Sequence, residues 1–200
     1  WSEDNSYRQL FSASQRSPVE LVAGRYIPTA TLEVLYQNGR LLEYALGTVT
    51  HDATSTPDIK HTFTEADEPP AMSIEDGYNS TSDLVKKYAG TMINAITLSL
   101  GLDDVLRLRA DLMAKTVATS TTSQASVISA LVTLPDFYGT LSTGANGAET
   151  AIGQLQTIDV IIRNNLEAQY KVGNRLWQDL QATERKYEFN FTMLFDSKTD

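Results

Sequence analysis

Along residues 102–115, LDDVLRLRADLMAK, apolar and polar side chains can be laid on a helix or on a strand. On a helical wheel Val105, Leu106, Leu108, Ala110, Leu112 and Met113 spread around most of the circumference and leave no clean polar face. With period two, Leu106, Leu108, Ala110, Leu112 and Ala114 share one face and Arg107, Arg109, Asp111 and Lys115 the other, with Met113 the exception. The pattern predicts a long, half-buried strand, entered through a turn at Asp103-Asp104.

The same reading extends along the chain. Residues 19–26 and 29–37 read as strands separated by Pro28. After Asn38-Gly39 the texture changes: in RLLEYALG, Leu41, Leu42, Ala45 and Leu46 stand at helical spacing and Gly47 is a natural C-terminal stop. A polar loop is expected over 48–57. KHTFTEA and AMSIEDG are short strands around Pro69-Pro70, and 77–83 is a loop. Residues 84–100 form a strand pair, or one bent strand broken at Gly90. There Met92, Asn94, Ile96, Leu98 and Leu100 occupy one face and Ile93, Ala95, Thr97 and Ser99 the other. Stretches 118–126 and 142–150 are Ser/Thr/Gly-rich loops. Strands return at 154–164 and 186–195, where Tyr187, Phe189, Phe191, Met193 and Phe195 alternate with Lys186, Glu188, Asn190 and Thr192.

Many strands punctuated by turns, with one short helix, predict an all-β fold, a β-sandwich or partly closed β-barrel with one flanking α-helix. Residues 1–18, polar and weakly patterned, read as an N-terminal arm that orders only against something else, and 19–200 as a single domain.

Composition narrows the function. A hydrophobic fraction of 42% over 200 residues suffices for one sizeable core. Acidic residues outnumber basic ones by 25 to 16, a net charge of −9, which argues against an electrostatic grip on nucleic acid or an anionic membrane. It leaves room for a surface that DNA passes without sticking. With no cysteine there is no disulfide framework and no thiolate metal site. No apolar run reaches the length of a bilayer span and no signal peptide is visible. The chain opens at Trp1 rather than Met, and a preceding segment is an expectation only.

Candidate chemistry is sparse. His51 and His61 are the only histidines, and His51 stands beside Asp52, yet no nucleophile motif accompanies them; a solvated loop histidine is the plainer account of each. Asp103, Asp104 and Asp196 lack the spacing of a calcium loop, and the glycines match neither a P-loop nor a dinucleotide fingerprint. Asn79-Ser80-Thr81 and Asn190-Phe191-Thr192 fit the glycosylation triplet, which is common by chance. No catalytic residue, metal or cofactor is expected.

Order along the chain says more. LLEYALG, HTF, SIEDGY, YAGTMINAITLSLGLDDVLRLRADLMAK, IDVIIRNNLE and ATERKYEFNFTMLFD resemble, in sequence and succession, the tail tube (major tail) proteins of long-tailed bacteriophages and of archaeal tailed viruses, over about residues 29–200. Residues before Pro28 match no element of that family. The resemblance implies a structural protein forming hexameric rings that stack into a hollow tube through which viral DNA passes transiently. It further implies contacts with itself, tail terminator, tape measure and tip or baseplate proteins, and a place in the virion tail after assembly in the host cytoplasm, with no membrane.

On that reading the core joins Leu41, Leu42, Ala45 and Leu46 to Ile96, Leu98, Leu106, Leu108, Ile158, Val160, Phe189 and Phe191. The polar strand faces, Thr97, Ser99, Arg107, Arg109, Asp111, Asp159, Glu188 and Asn190, line the lumen or the subunit seam, or else form a plain solvated face. Arg107 and Arg109 fit a phosphate-repelling lumen poorly and are expected to pair with carboxylates at the seam. The arm and the loops 118–126 and 142–150 are expected at ring-to-ring contacts. A tube protein of a contractile tail or secretion apparatus shares this architecture. An extracellular carbohydrate-binding sandwich would need clustered exposed aromatics, and Trp1 and Trp177 lie far apart in sequence.

Overall fold

The computed structural model describes residues 1–11, 18–52, 60–78, 84–120, 134, 141–145, 148–151 and 154–194; the predicted loop residues 79–83 and 121–126 lie outside them. In chain order the elements are β1 (Ser2–Phe11), β2 (Pro18–Leu35), α1 (Arg40–Leu46), β3 (Gly47–Asp52), β4 (Lys60–Glu65), β5 (Met72–Tyr78), β6 (Leu84–Gly101) and β7 (Arg107–Met113). There follow β8 (Thr116–Ser120), β9 (Ser142–Thr143), β10 (Thr150–Ala151), β11 (Gln154–Arg163), β12 (Leu166–Gln169), β13 (Asp179–Ala182) and β14 (Lys186–Leu194). The fold is all-β with one short helix, as the patterning predicts.

The main sheet runs β1-β2-β7-β6-β11-β14, and β5 and β8 also pair with β6. β6 is one bent strand. Its first half pairs with β5 and β8 and its second with β7 and β11. Gly90 stands at the changeover with φ +63°, where an added Cβ would come within 3.0 Å of Lys115 Cβ. A strand that changes partners at a bend is how antiparallel layers turn into a sandwich.

The loops expected over 77–83, 118–126 and 142–150 give residues 77–78 to β5, 118–120 to β8, 142–143 to β9 and 150 to β10, and three further segments depart from the sequence expectation. β2 runs unbroken through Pro28 because that residue's backbone N and carbonyl face the β7 side, one place past the last β2–β7 pairing of Thr29 with Met113, so its missing N–H is not asked for by β1, where it lies opposite Glu3. Its carbonyl still accepts from Ala114 N–H at 2.9 Å. Residues 48–52 of the loop expected over 48–57, whose residues 53–57 lie outside the described ones, form β3 together with Gly47 because Thr48, Val49 and Thr50 suit an exposed hairpin with β4. The polar N-terminal stretch is strand β1, paired with β2 from Ser2 to Phe11. Backbone pairing gives no periodic signal, so the sequence shows none there. Trp1 anchors its start by stacking on Tyr88 at 3.5 Å, and Glu3 bonds Lys86 Nζ at 2.7 Å.

Residues directly opposite on antiparallel strands share a face. The register therefore aligns Leu32, Ala110, Ile96, Ile162 and Tyr187 in one row, and Val34, Leu108, Leu98, Val160 and Phe189 in the next. Helix α1 lies on the first row: Ala45 is fully buried with Ile93, Ile96, Leu108, Ala110 and Ile162, and Leu41, Leu42, Leu46 and Leu98 pack around them. Gly47 ends the helix at φ +148°, where a Cβ would sit 2.5 Å from Ala66 N.

Of the residues expected in the core, Ile96 and Leu108 are 1% exposed, Leu106, Ile158 and Val160 are half-buried, and Phe189 and Phe191 are 63% and 49% exposed. The reason is reach: a seven-residue helix is about 10 Å long and cannot cover rows ending on the edge strand β14. A second cluster, Met92, Leu166, Trp177 and Leu180, forms around the β12–β13 hairpin, where Trp177 Nε1–H donates to Ala114 O at 3.0 Å.

The two ends of the core meet at Asn164, which is 1% exposed. Its Nδ2 donates to Ala45 O and to Ile93 O, each at 2.9 Å, and its Oδ1 accepts from Arg185 Nε at 2.7 Å. Arg185 in turn bonds Ala66 O at 3.1 Å. Next to it, Asn165 at φ +47° turns the chain from β11 into β12. The Asn164-Asn165 pair thus ties the helix and the bent strand to residues 184–185, just ahead of the final strand. Replacing Asn164 by Ala strands two carbonyls and a guanidinium, and is expected to cost about 2–4 kcal/mol in urea unfolding of the unassembled subunit. Asn190→Ala, on the exposed β14, should change stability by less than about 0.5 kcal/mol.

Candidate functional site: the polar face of the sheet

Opposite the apolar rows, the same register builds three polar ones across β2, β7, β6, β11 and β14. They are Thr31, Asp111, Ala95, Arg163, Lys186; Glu33, Arg109, Thr97, Ile161, Glu188; and Leu35, Arg107, Ser99, Asp159, Asn190. All eight residues singled out from the polar strand positions fall on this one face, in adjacent rows. Glu33, Arg163 and Lys186 share it and were missed. Glu33 sits in an alternating run and was findable, whereas Arg163 and Lys186 become neighbours only through the β11–β14 register.

The three rows carry four carboxylates, Glu33, Asp111, Asp159 and Glu188, against four cations, Arg107, Arg109, Arg163 and Lys186. Each cation is occupied by a carboxylate of its own chain. Arg107 NH2 meets Asp104 Oδ1 at 3.0 Å, Arg109 lies 3.8 Å from Glu33 and 3.7 Å from Asp111, Arg163 Nε meets Glu188 Oε1 at 3.0 Å, and Lys186 Nζ lies 3.5 Å from Glu184. Thr31 Oγ1–H adds a bond to Asp111 at 3.1 Å. Bonds from Arg107 and then from the Val105 N–H hold the Asp104 carboxyl below its ordinary range. A depressed carboxyl contributes above its unfolded pKa and loses that contribution as pH falls through the folded value, so the Arg107 clamp opens only in acid. Exposed pairs of this kind, screened by solvent, add little stability. Their consequence lies in what they occupy: the arginines expected to seek carboxylates across a seam already have them in the chain, so the face is charge-compensated rather than acidic. The net −9 therefore resides elsewhere in the chain.

At one end the sheet stops at β14, whose only partner among the described residues is β11. This edge exposes Tyr187, Phe189, Phe191 and Leu194. Tyr187 O–H bonds Glu65 at 2.5 Å. An edge strand with unpaired backbone and an apolar row favours pairing with another chain. The tryptophans offer no sugar platform, since Trp177 is buried and Trp1 is stacked on Tyr88. His51 and His61 lie on the β3–β4 hairpin, apart from the polar rows. Among the described residues no three or more His, Cys, Asp or Glu gather as a metal site.

A two-faced sheet with a compensated polar side, a partly covered apolar side and an aromatic edge defines a β-structured building block for assembly. The profile of the phage tail tube protein family matches residues 27–200, and the chain belongs to that family, as a structural protein of the viral tail. No curated protein matches it. The matched region starts next to Pro28, where the family resemblance of the sequence also begins.

If ion pairing keeps the polar face from gripping phosphate, then unpairing it should create a grip. Glu33→Gln with Asp111→Asn frees Arg109. Fluorescence anisotropy with duplex DNA is expected to show binding at least about threefold tighter than wild type at about 50 mM salt, fading by about 300 mM.

Proposed function

We propose that this chain polymerises as stacked hexameric rings into the hollow tail tube that conducts viral DNA, with the polar rows Thr97, Ser99, Arg107, Arg109, Asp111, Asp159, Glu188 and Asn190 facing the lumen. The observation that carries this reading is their placement together on one charge-compensated face of a sheet that ends in an unpaired aromatic edge. DNA moving through a narrow conduit needs a wet wall without available cations, and intrachain ion pairing supplies one. Ring closure then falls to the sheet edges. Pairing of β14 with a neighbouring subunit satisfies its backbone groups and covers Phe189 and Phe191, and a closed ring leaves no free edge.

Sixfold closure follows from the family resemblance. In the same reading, residues 1–18, 118–126 and 142–150 contact neighbouring rings, residues 19–200 are one tube domain, and the tube meets terminator, tape measure and tip proteins after assembly in the host cytoplasm. The family itself implies self-association and a place among tail components.

Negative-stain microscopy with solution mass tests the assembly. Wild type is expected to form rings or tubes of uniform width. Phe189→Lys with Phe191→Lys, exposed in the subunit, should leave its stability within about 0.5 kcal/mol and abolish assembly. Wild type that stays monomeric at every concentration, or a double variant that assembles as wild type does, contradicts the proposal.

A further inference from the structure

The chain has two histidines, and the fold places them directly opposite each other. His51 on β3 and His61 on β4 are both exposed, with Nδ1 atoms 2.7 Å apart and rings crossed at 86°. We propose that they form a two-imidazole site for a divalent transition ion of the zinc, nickel and copper class, which staples the β3–β4 hairpin.

The geometry is close to what such an ion requires. With metal–nitrogen bonds of about 2.0–2.1 Å, two imidazole nitrogens on one ion lie about 2.9 Å apart at a square-planar corner and about 3.4 Å apart in a tetrahedron. Opening the present pair by less than about 1 Å, through small side-chain rotations, admits the ion between them. In the metal-free pair one ring donates an N–H and the other accepts it. An ion needs both Nδ1 lone pairs, so binding moves the donor ring's proton from Nδ1 to Nε2, with no net proton released from the two neutral rings, and leaves each Nε2 protonated.

The surroundings leave the other coordination positions open. Pairing of Val49 with Phe63 two residues away puts these apolar side chains on the same hairpin face as the histidines. That face borders a cleft of about 560 Å³, lined also by Tyr36, Asn38 and Glu43. The described residues supply no third ligand within reach, so water completes the shell. The hairpin is where a staple would matter: among the described residues β3 and β4 pair only with each other, and a two-stranded sheet is marginal alone.

The test uses tag-free full-length protein and Zn²⁺ in a non-coordinating buffer near neutral pH, followed by calorimetry and by NMR of the imidazole resonances. One ion per chain is expected, with both rings shifting together. His51→Asn and His61→Asn should each weaken binding at least about tenfold. Binding unchanged in both single variants, or a shift of only one ring, means an adventitious ion only and overturns the site, as does wild type that takes up no Zn²⁺. Circular dichroism checks that the variants fold; should either fail, the joint ring shift in wild type decides alone.

Discussion

One helix of seven residues has to cover an apolar face that spans five strands. α1 is the only helix among the described residues, and it closes the core over Ala110, Ile96 and Ile162, with the small Ala45 and Ala110 at the contact. Beyond its reach the apolar rows continue to Phe189 and Phe191 on the edge strand β14. An isolated subunit therefore carries an apolar edge exposed to water. The resulting cost is removed when another chain lies against it, and this gives the fold a thermodynamic reason to polymerise.

The other face obeys a different constraint. A wall that DNA slides past has to be hydrated, yet it must not offer cations that displace counterions from phosphate. A purely acidic wall would meet this by repulsion. If the polar rows face the lumen as proposed, they meet it by pairing, since Arg107, Arg109, Arg163 and Lys186 each lie beside a carboxylate of the same chain. Such pairs add little stability, but they fix where each charge points. They also keep the face near neutrality without an acidic patch, which would burden subunit packing.

Elements with a strong local signal were legible in the sequence. The Leu106 to Ala114 alternation gave β7 and its buried face, the Leu41 to Leu46 spacing gave α1, and the polar alternation picked out eight residues that the register gathers on one face. What local pattern cannot carry is pairing between distant segments. The strand β1 is held by backbone bonds to β2, and β2 passes through Pro28 because β7 has already ended there. Aromatic alternation on β14 looked like core because periodicity reports that one face is apolar and does not report whether anything covers it. The histidines read as unrelated loop residues for the same reason: their proximity is a property of the β3–β4 register. Asn164 was visible only as part of a family-like string, and its role as a buried three-way bond emerges from the packing of α1, β6 and Arg185 around it.

The most direct test of the account is a cryo-electron microscopy map of the assembled protein at side-chain resolution. The account predicts β14 hydrogen-bonded to a strand of the neighbouring subunit, Phe189 and Phe191 covered, and the Thr97, Arg109 and Glu188 row directed at the lumen. A map with that row on the outer surface, or with β14 unpaired in the closed ring, would contradict it.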